Sequence, residues 1–402
     1  MIKSLLKKIL PEFLISWYHF KLALLGVLIY GFPSRKIKVI GVTGTNGKTT
    51  VVSLATKVLE EAGFKVAAFS SIRFKIGEKE WPNNLKMTMP GRLMVQKLLR
   101  RAVNEKCDYA LLEVTSEGIK QYRHKFIDFE AAVFTNLTPE HIEAHGGFEN
   151  YKIAKGKLFL ATENIHIINA EDKNSDYFLQ FPAKKTITYG MEKGDISNQN
   201  LRLRLKLIGD FNIYNALAAI CVGLSQGINL EICKRAVEEV KSIPGRMEEV
   251  ISFPFKVFVD YAFTPNALEK VYQTIRNDSL KTGGKLIAVL GACGGGRDKW
   301  KRPVLGEIAE KYCDKIIVTN EDPYDENPQE IINQVAEGAE GKAVKILDRR
   351  EAVKEALKSS QPGDAVIFTG KGVEPWIVMA NGKKIPWNEK EIILEEFKKL
   401  NL

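Results

Sequence analysis

The stretch Val39-Ile-Gly-Val-Thr-Gly-Thr-Asn-Gly-Lys-Thr-Thr50 decides how this chain is read. An apolar run enters a loop carrying Gly44 and Gly47, and Gly47-Lys-Thr49 follows at once, so the pattern predicts a strand, a loop and a helix that starts near Lys48. A loop of this kind turns backbone N–H groups and a helix N-terminus toward an anion. Gly44, Thr45, Asn46 and Gly47 form the expected phosphate cradle, with Thr50 in the first turn behind it. Lys48 reaches the terminal phosphates and the Thr49 hydroxyl holds Mg²⁺. The strict phosphate-loop pattern places a glycine five positions before Gly47, where Val42 stands. Gly44 lies inside the loop instead, which makes this a variant.

Outward from that stretch, short β-branched runs alternate with helical stretches. Residues 37–43, 66–70, 109–114, 131–135 and 165–168 read as buried strands, because each is a nearly continuous apolar run with turn residues nearby. A second series covers 256–260, 285–290, 315–319 and 365–369. The pattern predicts an α/β chain with parallel sheets and crossover helices. Pro244 and Gly245 punctuate the chain between the two series, so the expected organisation is a central phosphate-loop domain over 37–247 and a Rossmann-like C-terminal domain over 248–402. No internal repeat or low-complexity tract occurs.

Composition narrows the class. The 402 residues are 45% hydrophobic and 27% charged, a globular balance that excludes a disordered chain and a polytopic membrane protein. The net charge of +10 is scattered without a dense basic block, which suits nucleotide or acidic substrates and not a nucleic acid. Five cysteines without a C-x-x-C pair argue against disulfides or a thiolate zinc site and point to a reducing cytoplasm.

Residues 1–36 read differently. From 13 to 32 the only Lys, Arg, Asp or Glu is Lys21, with Lys3, Lys7 and Lys8 before and Arg35, Lys36 and Lys38 after. Phe13, Leu14, Trp17, Phe20, Leu24, Leu28 and Phe32 recur at three- and four-residue steps, as one apolar helical face would. A helix packed on the protein, an interfacial anchor with peripheral membrane contact, and a membrane span all remain open here.

Further motifs follow the loop in order: Leu112-Glu-Val-Thr-Ser-Glu-Gly118 with Gln121 and Arg123, Phe134-Thr-Asn-Leu-Thr-Pro-Glu-His141, His145-Gly146 and Tyr151-Lys-Ile-Ala-Lys155. Gly209-Asp-Phe-Asn-Ile-Tyr-Asn215, Pro244-Gly-Arg246, Asp260-Tyr-Ala-Phe-Thr-Pro265, Gly296-Arg-Asp-Lys299 and Gly370-Lys-Gly-Val-Glu374 continue the series. With Gly-Thr-Asn-Gly-Lys-Thr at the loop, this set resembles the Mur ligase superfamily. Within it, the chain is most similar to the UDP-N-acetylmuramoyl-dipeptide amino-acid ligases.

The resemblance implies ATP-dependent amide formation between a UDP-muramoyl-peptide carboxylate and an amino acid, a step of peptidoglycan precursor synthesis, in a cytoplasmic monomer. Making an amide from a carboxylate is uphill, so an acyl phosphate, ATP and cations are the chemistry to expect. Lys48, Glu113, His141 and Lys155 carry it. Thr49, Glu113, His141 and Lys155 hold two Mg²⁺ ions, with Lys155 carrying a CO₂-derived carbamate. Asn212, Arg246 and Asp260 match positions for adenine, phosphate and ribose. Thr88, Ser116, Gln121 and Arg123 match donor-binding positions, while Asp322, Tyr324, Lys371 and Glu374 complete the substrate site.

Departures from the pattern are informative. Glu117, Phe263 and Val373 stand where the family has histidines. Glu321-Asp-Pro-Tyr324 stands where diaminopimelate-adding members carry Asp-Asn-Pro-Arg, and the short apolar segment 1–36 stands where they carry a full uridine-nucleotide-binding domain. His141 and His145 are four apart and would share a helical face, but a zinc H-E-x-x-H pattern is lacking. The competing readings are a poly-glutamate or folyl-polyglutamate ligase and, from another class, a phosphate-loop kinase or ATPase that makes no amide.

Overall fold

A computed structural model describes residues 11–85, 87–278, 280 and 283–400, the side chain of Glu12 apart. Lys3, Lys7 and Lys8 lie outside the described residues. The chain divides into two compact units. The first holds the described residues up to Leu137 with Glu149–Arg204 and Ile213–Glu239; the second holds Thr138–Phe148, Leu205–Asn212 and the chain from Val240 onward.

In the first unit the strands are β1 (Lys38–Thr43), β2 (Val66–Phe69), β3 (Arg73–Ile76), β4 (Lys79–Pro82), β5 (Tyr109–Glu113), β6 (Phe129–Phe134), β7 (Ile165–Asn169), β8 (Lys185–Gly190) and β9 (Ile196–Ser197). They form one sheet in the order β4-β3-β2-β5-β1-β6-β7-β8-β9. Strand β1 lies between β5 and β6, parallel to both, with Val42 opposite Glu113 and Thr43 opposite Phe134. This register places the end of β5 beside the start of the glycine loop, at the carboxyl edge where ligands gather in open parallel sheets. The loop passes into the helix Lys48–Glu61 as expected.

In the second unit β10 (Glu248–Ile251), β11 (Lys256–Val259), β12 (Leu286–Leu290), β13 (Lys315–Thr319), β14 (Ala343–Ile346) and β15 (Ala365–Phe368) are ordered β10-β11-β15-β12-β13-β14. All pair parallel except β10 with β11. Leu286, Ala288 and Leu290 of β12 join one core while Ile287 and Val289 join the other. Both faces are covered, so the strand reads as an unbroken apolar run. A two-stranded antiparallel ribbon, β16 (Trp376–Val378) with β17 (Lys384–Pro386), follows.

Every expected strand is present within one or two residues at each end. The structure adds the hairpin β3-β4, the strands β8, β9 and β14, and the antiparallel edge β10. β4, β14 and β17 are largely exposed, and their mixed polar composition hides them from a search for apolar runs.

The N-terminal segment forms the helix Glu12–Ile29, packed against the helix Arg92–Asn104. The apolar face read from the sequence is not the packed one. Phe13, Leu14, Trp17, Phe20, Leu24 and Leu28 are exposed, and Ala23, Gly26 and Val27 are buried instead. Phe32 lies beyond the helix. Among the described residues no helix is long and apolar enough to cross a membrane.

Candidate functional site

The glycine loop is held from beneath by the segment that follows β6. Asn136 accepts from the Asn46 N–H through Oδ1 at 2.9 Å and from the Thr45 N–H through its carbonyl at 2.8 Å. Thr135 Oγ1 and Asn136 Nδ2 donate to the Asn46 carbonyl at 2.7 and 3.1 Å. Gly44 has φ 146°, and a Cβ there would stand 1.9 Å from Thr135 Oγ1. The loop is therefore fixed by glycine and by hydrogen bonds, as a phosphate cradle requires.

Two amines converge on one carbonyl oxygen. Lys48 Nζ donates to the Gly44 carbonyl at 3.0 Å and to the Thr45 carbonyl at 2.8 Å, while Lys155 Nζ donates to the same Gly44 oxygen at 2.8 Å. Lys155 is 2% exposed, on the helix Phe148–Leu160, with Nζ 4.7 Å from the centre of the Tyr151 ring. Burial first, and then the Lys48 charge, push its amine far below the ordinary lysine range. A neutral amine is the form that adds CO₂.

Oxygen ligands stand close by. Thr49 Oγ1 is 2.8 Å from Ser71 Oγ, and the Ser71 N–H donates to Glu113 Oε1 at 2.8 Å. Thr49 and Glu113 are both buried. A hydroxyl and a carboxylate beside a phosphate cradle are the hard oxygens that Mg²⁺ takes together with substrate phosphates. Among the described residues no group of three or more His, Cys, Asp or Glu side chains forms a ready metal site.

The expected donor residues form a second cluster in the same unit. Arg123 Nη2 and Arg92 Nη2 both donate to Gln121 Oε1, at 2.9 and 3.1 Å, and Arg123 Nη1 donates to the Met89 carbonyl beside Thr88. Arg92 also meets His19 Nδ1. Arg123 is buried and its Nε has no partner. Burial lowers the affinity of both guanidiniums for their protons, and the Arg123 charge lowers that of Arg92 further. An anion placed here relieves both penalties. Ser116 is buried in the turn capped by Thr115, which accepts from the Gly118 N–H.

The second unit carries the remaining candidates. His141 has φ 58° and stands just before the helix Ile142–His145, whose first N–H groups, those of Ile142 and Glu143, donate to Asp298. His141 and His145 therefore do not belong to one helix. Asn212 Nδ2 donates to the Ile208 carbonyl at 2.8 Å. Asp260 accepts from the Met247 and Ala262 N–H groups at 2.7 and 2.6 Å, tying the Arg246 turn to the end of β11. The Arg246 guanidinium lies 4.8 Å from the centre of the Tyr261 ring. Lys371, fully buried, donates to Asp322 Oδ1 at 3.0 Å and Glu374 Oε2 at 2.7 Å. Burial opposes its charge, but the carboxylates of Glu374, Asp322 and Glu321 outweigh it and hold the amine above its usual range. Tyr324 is half-buried with φ 53°, and burial pushes its phenol up to about 12.

The structure thus gathers Gly44 to Thr50, Glu113 and Lys155 in one site, and Gln121 and Arg123 in another. Arg92, His19, Ser71 and Tyr151 were not among the expected site residues. Ser71, just past a strand end, carried a positional signal; Arg92 and His19 carried none, because only the fold brings them to Gln121.

Comparison with known proteins places the chain in a family. The Mur ligase middle domain matches residues 42–223, and the Mur ligase, glutamate ligase domain matches residues 245–372. A UDP-N-acetylmuramoyl-L-alanyl-D-glutamate--2,6-diaminopimelate ligase of Clostridium acetobutylicum is 37% identical over 94% of this chain and 82% of its own. A UDP-N-acetylmuramyl-tripeptide synthetase of Roseiflexus sp. is 38% identical over 92% and 80%. A solved structure of a UDP-N-acetylmuramoyl-L-alanyl-D-glutamate--2,6-diaminopimelate ligase superposes with a TM-score of 0.59 at 28% identity, over 91% of this chain and 79% of that one. Mycobacterium tuberculosis folylpolyglutamate synthase shares the fold, at a TM-score of 0.69 and 16% identity, over 87% and 92%. The chain belongs to the Mur ligase family, whose members are ATP-dependent amide-forming ligases.

Proposed function

We propose that this protein joins the carboxylate of a UDP-N-acetylmuramoyl peptide to an amino acid, using ATP, in the making of peptidoglycan precursors. The observation that carries the reading is the convergence of Lys48 and buried Lys155 on the Gly44 carbonyl, beside the Thr49, Ser71 and Glu113 chain. A carboxylate oxygen attacks the γ-phosphorus and ADP leaves. The amine nitrogen then attacks the acyl carbon, phosphate departs and the nitrogen loses a proton.

Each group has a task in that sequence. The loop N–H groups and Lys48 bind and orient the phosphates, so the γ-phosphorus is aimed at the donor. Arg123, with Arg92 and Gln121, grips the donor's anionic end. Two Mg²⁺ ions are the metals proposed, held by Thr49, Glu113, His141 and Lys155 as its carbamate; they supply charge neutralisation for the phosphoryl group. A carbamate on Lys155 puts an anion beside the Lys48 cation at Gly44, where burial and the Lys48 charge disfavour a second ammonium. Asn212, Arg246 and Asp260 are assigned to adenine, phosphate and ribose. Thr88 and Ser116 extend the donor site, and Asp322, Tyr324, Lys371 and Glu374 the substrate site.

The protein is expected to act as a cytoplasmic monomer without nucleic acid, and to touch a membrane peripherally through residues 1–36. Phosphate release and amide product, measured with donor and amino acid added separately and together, test the reading. Release that needs both, with one amide per phosphate, supports it; release that ignores the amino acid assigns the chain to an ATPase or kinase.

A further inference from the structure

The helix Glu12–Ile29 has two faces with opposite surroundings. Ser16, His19, Ala23, Gly26 and Val27 recur at three- and four-residue steps and turn to the body of the unit. Gly26 allows a close approach, since a Cβ there would stand 3.3 Å from the Arg92 carbonyl oxygen. The outward face holds Phe13, Trp17, Leu24, Leu25, Leu28 and Ile29, with Phe13 69%, Trp17 58% and Leu28 56% exposed. A helix on the surface of a soluble protein ordinarily turns charged and polar residues outward. Among the described side chains the outward face has one charge, Lys21, whose Nζ sits 3.7 Å from the centre of the Trp17 ring.

A contiguous apolar face of this size marks an interaction surface, and charge identifies what it meets. Arg35 and Lys36 are exposed past one end of the helix, and Lys3, Lys7 and Lys8 precede the other in sequence. Exposed Lys120 and Lys125 flank Tyr122, on which Phe20 packs edge-to-face at 5.9 Å. Cations around an apolar face bearing Trp and Tyr match a bilayer with anionic headgroups. A second copy of the chain would bring the same cations to the same place.

We propose that this outward face docks in the plane of an anionic bilayer and serves a lipid-anchored donor. At about 1.5 Å per residue the helix is roughly 27 Å long, and its inner face is committed to the protein, so it lies along the interface. Through its bond with Arg92, His19 ties the docked helix to the Gln121 and Arg123 cluster, which docking brings to the lipid surface. The donor half of the proposal rests on the ligase reading. The acyl chemistry at the carboxylate is the same whichever diphosphate ester carries the muramoyl sugar.

Flotation of the full chain with phosphatidylglycerol–phosphatidylcholine vesicles, and with phosphatidylcholine alone, tests the docking. The wild type should float with the anionic vesicles and at least tenfold less with the neutral ones. Combined Trp17→Gln, Leu24→Gln and Leu28→Gln should cut flotation at least tenfold while melting and ATP binding stay as in the wild type. Lys21→Glu, exposed and outside the core, should lower it severalfold by charge alone. Wild type that stays in the aqueous layer, or variants that float as well as wild type, overturn the docking. So does a dimer that the triple variant abolishes while vesicles are ignored. For the donor, amide formation from a muramoyl dipeptide anchored in the vesicles through a polyprenyl diphosphate should fall at least tenfold in the triple variant. The rate on the soluble UDP-linked donor should be unchanged; equal rates or equal losses on the two donors overturn that half. No amide from either donor, with flotation intact, overturns the ligase reading and leaves the docking standing.

Discussion

At Gly44 two lysine amines share one carbonyl oxygen, and removing each has a different expected result. Lys48→Ala takes away a loop cation without touching the core. The fold should survive and ATP turnover should fall about a hundredfold or more; a folded variant with near-normal amide yield would remove Lys48 from the mechanism. Lys155→Ala should be nearly inactive and recover in part with added short carboxylic acids, which offer the oxygens a carbamate would supply. Full activity without any addition would make Lys155 a packing residue. His124 gives a pH test away from the chemistry. Burial, helped by Lys125 and Lys157, holds its ring neutral down to about 4, against 6.5 unperturbed. The unfolded chain takes up a proton near 6.5 and the folded chain does not, so stability is lost as pH falls from 6.5 to 4, by up to about 3 kcal/mol. In His124→Leu, urea midpoints measured across that range should fall less steeply with acid than in the wild type; parallel curves would show that another group sets the slope.

At the scale of elements, the loop around Tyr324 bears on the acceptor. Asp322 Oδ1 accepts from the Lys371 ammonium and the Val378 N–H, and Tyr324 offers a neutral phenol where diaminopimelate-adding members carry arginine. A forked guanidinium grips a carboxylate far better than a phenol does. meso-Diaminopimelate should therefore be a poorer acceptor than lysine or another amino acid without a second carboxylate. Competition kinetics that rank it first would contradict this, and the Clostridium acetobutylicum relative, named for diaminopimelate, is the useful comparison. The elements also differ in how openly the sequence declares them. β1, β5, β12 and β15 are covered on both faces and read as apolar runs. β4 and β14 are exposed edges of mixed polar composition; β4 closes a local hairpin with β3, while β14 pairs with β13, roughly 30 residues earlier. The N-terminal helix was legible as a helix but not in its orientation. Its small residues Ala23 and Gly26 make the packed face, and a search for one apolar stripe picks out the large residues that turn outward instead.

Across the whole molecule the glycine loop and the strand ending near Glu113 were legible, since both are local patterns, whereas the register that sets Val42 opposite Glu113 pairs strands about 70 residues apart and emerged only with the fold. The Arg92, Gln121 and Arg123 cluster was legible only in part. Its second arginine, Arg92, comes from a helix about 30 residues upstream, and His19 from one about 100 residues upstream. The division of the chain was also finer than its punctuation. Thr138–Phe148, with His141, and Leu205–Asn212, with Asn212, belong to the second unit, although the Pro244-Gly245 signal placed both stretches before the boundary. What unites these parts is the claim that the donor carboxylate becomes an acyl phosphate. That claim is tested most directly by labelling both oxygens of the donor carboxylate with ¹⁸O and analysing the inorganic phosphate released as the amide forms. The account predicts one ¹⁸O in each phosphate, transferred from the carboxylate; phosphate free of label alongside amide product would contradict it.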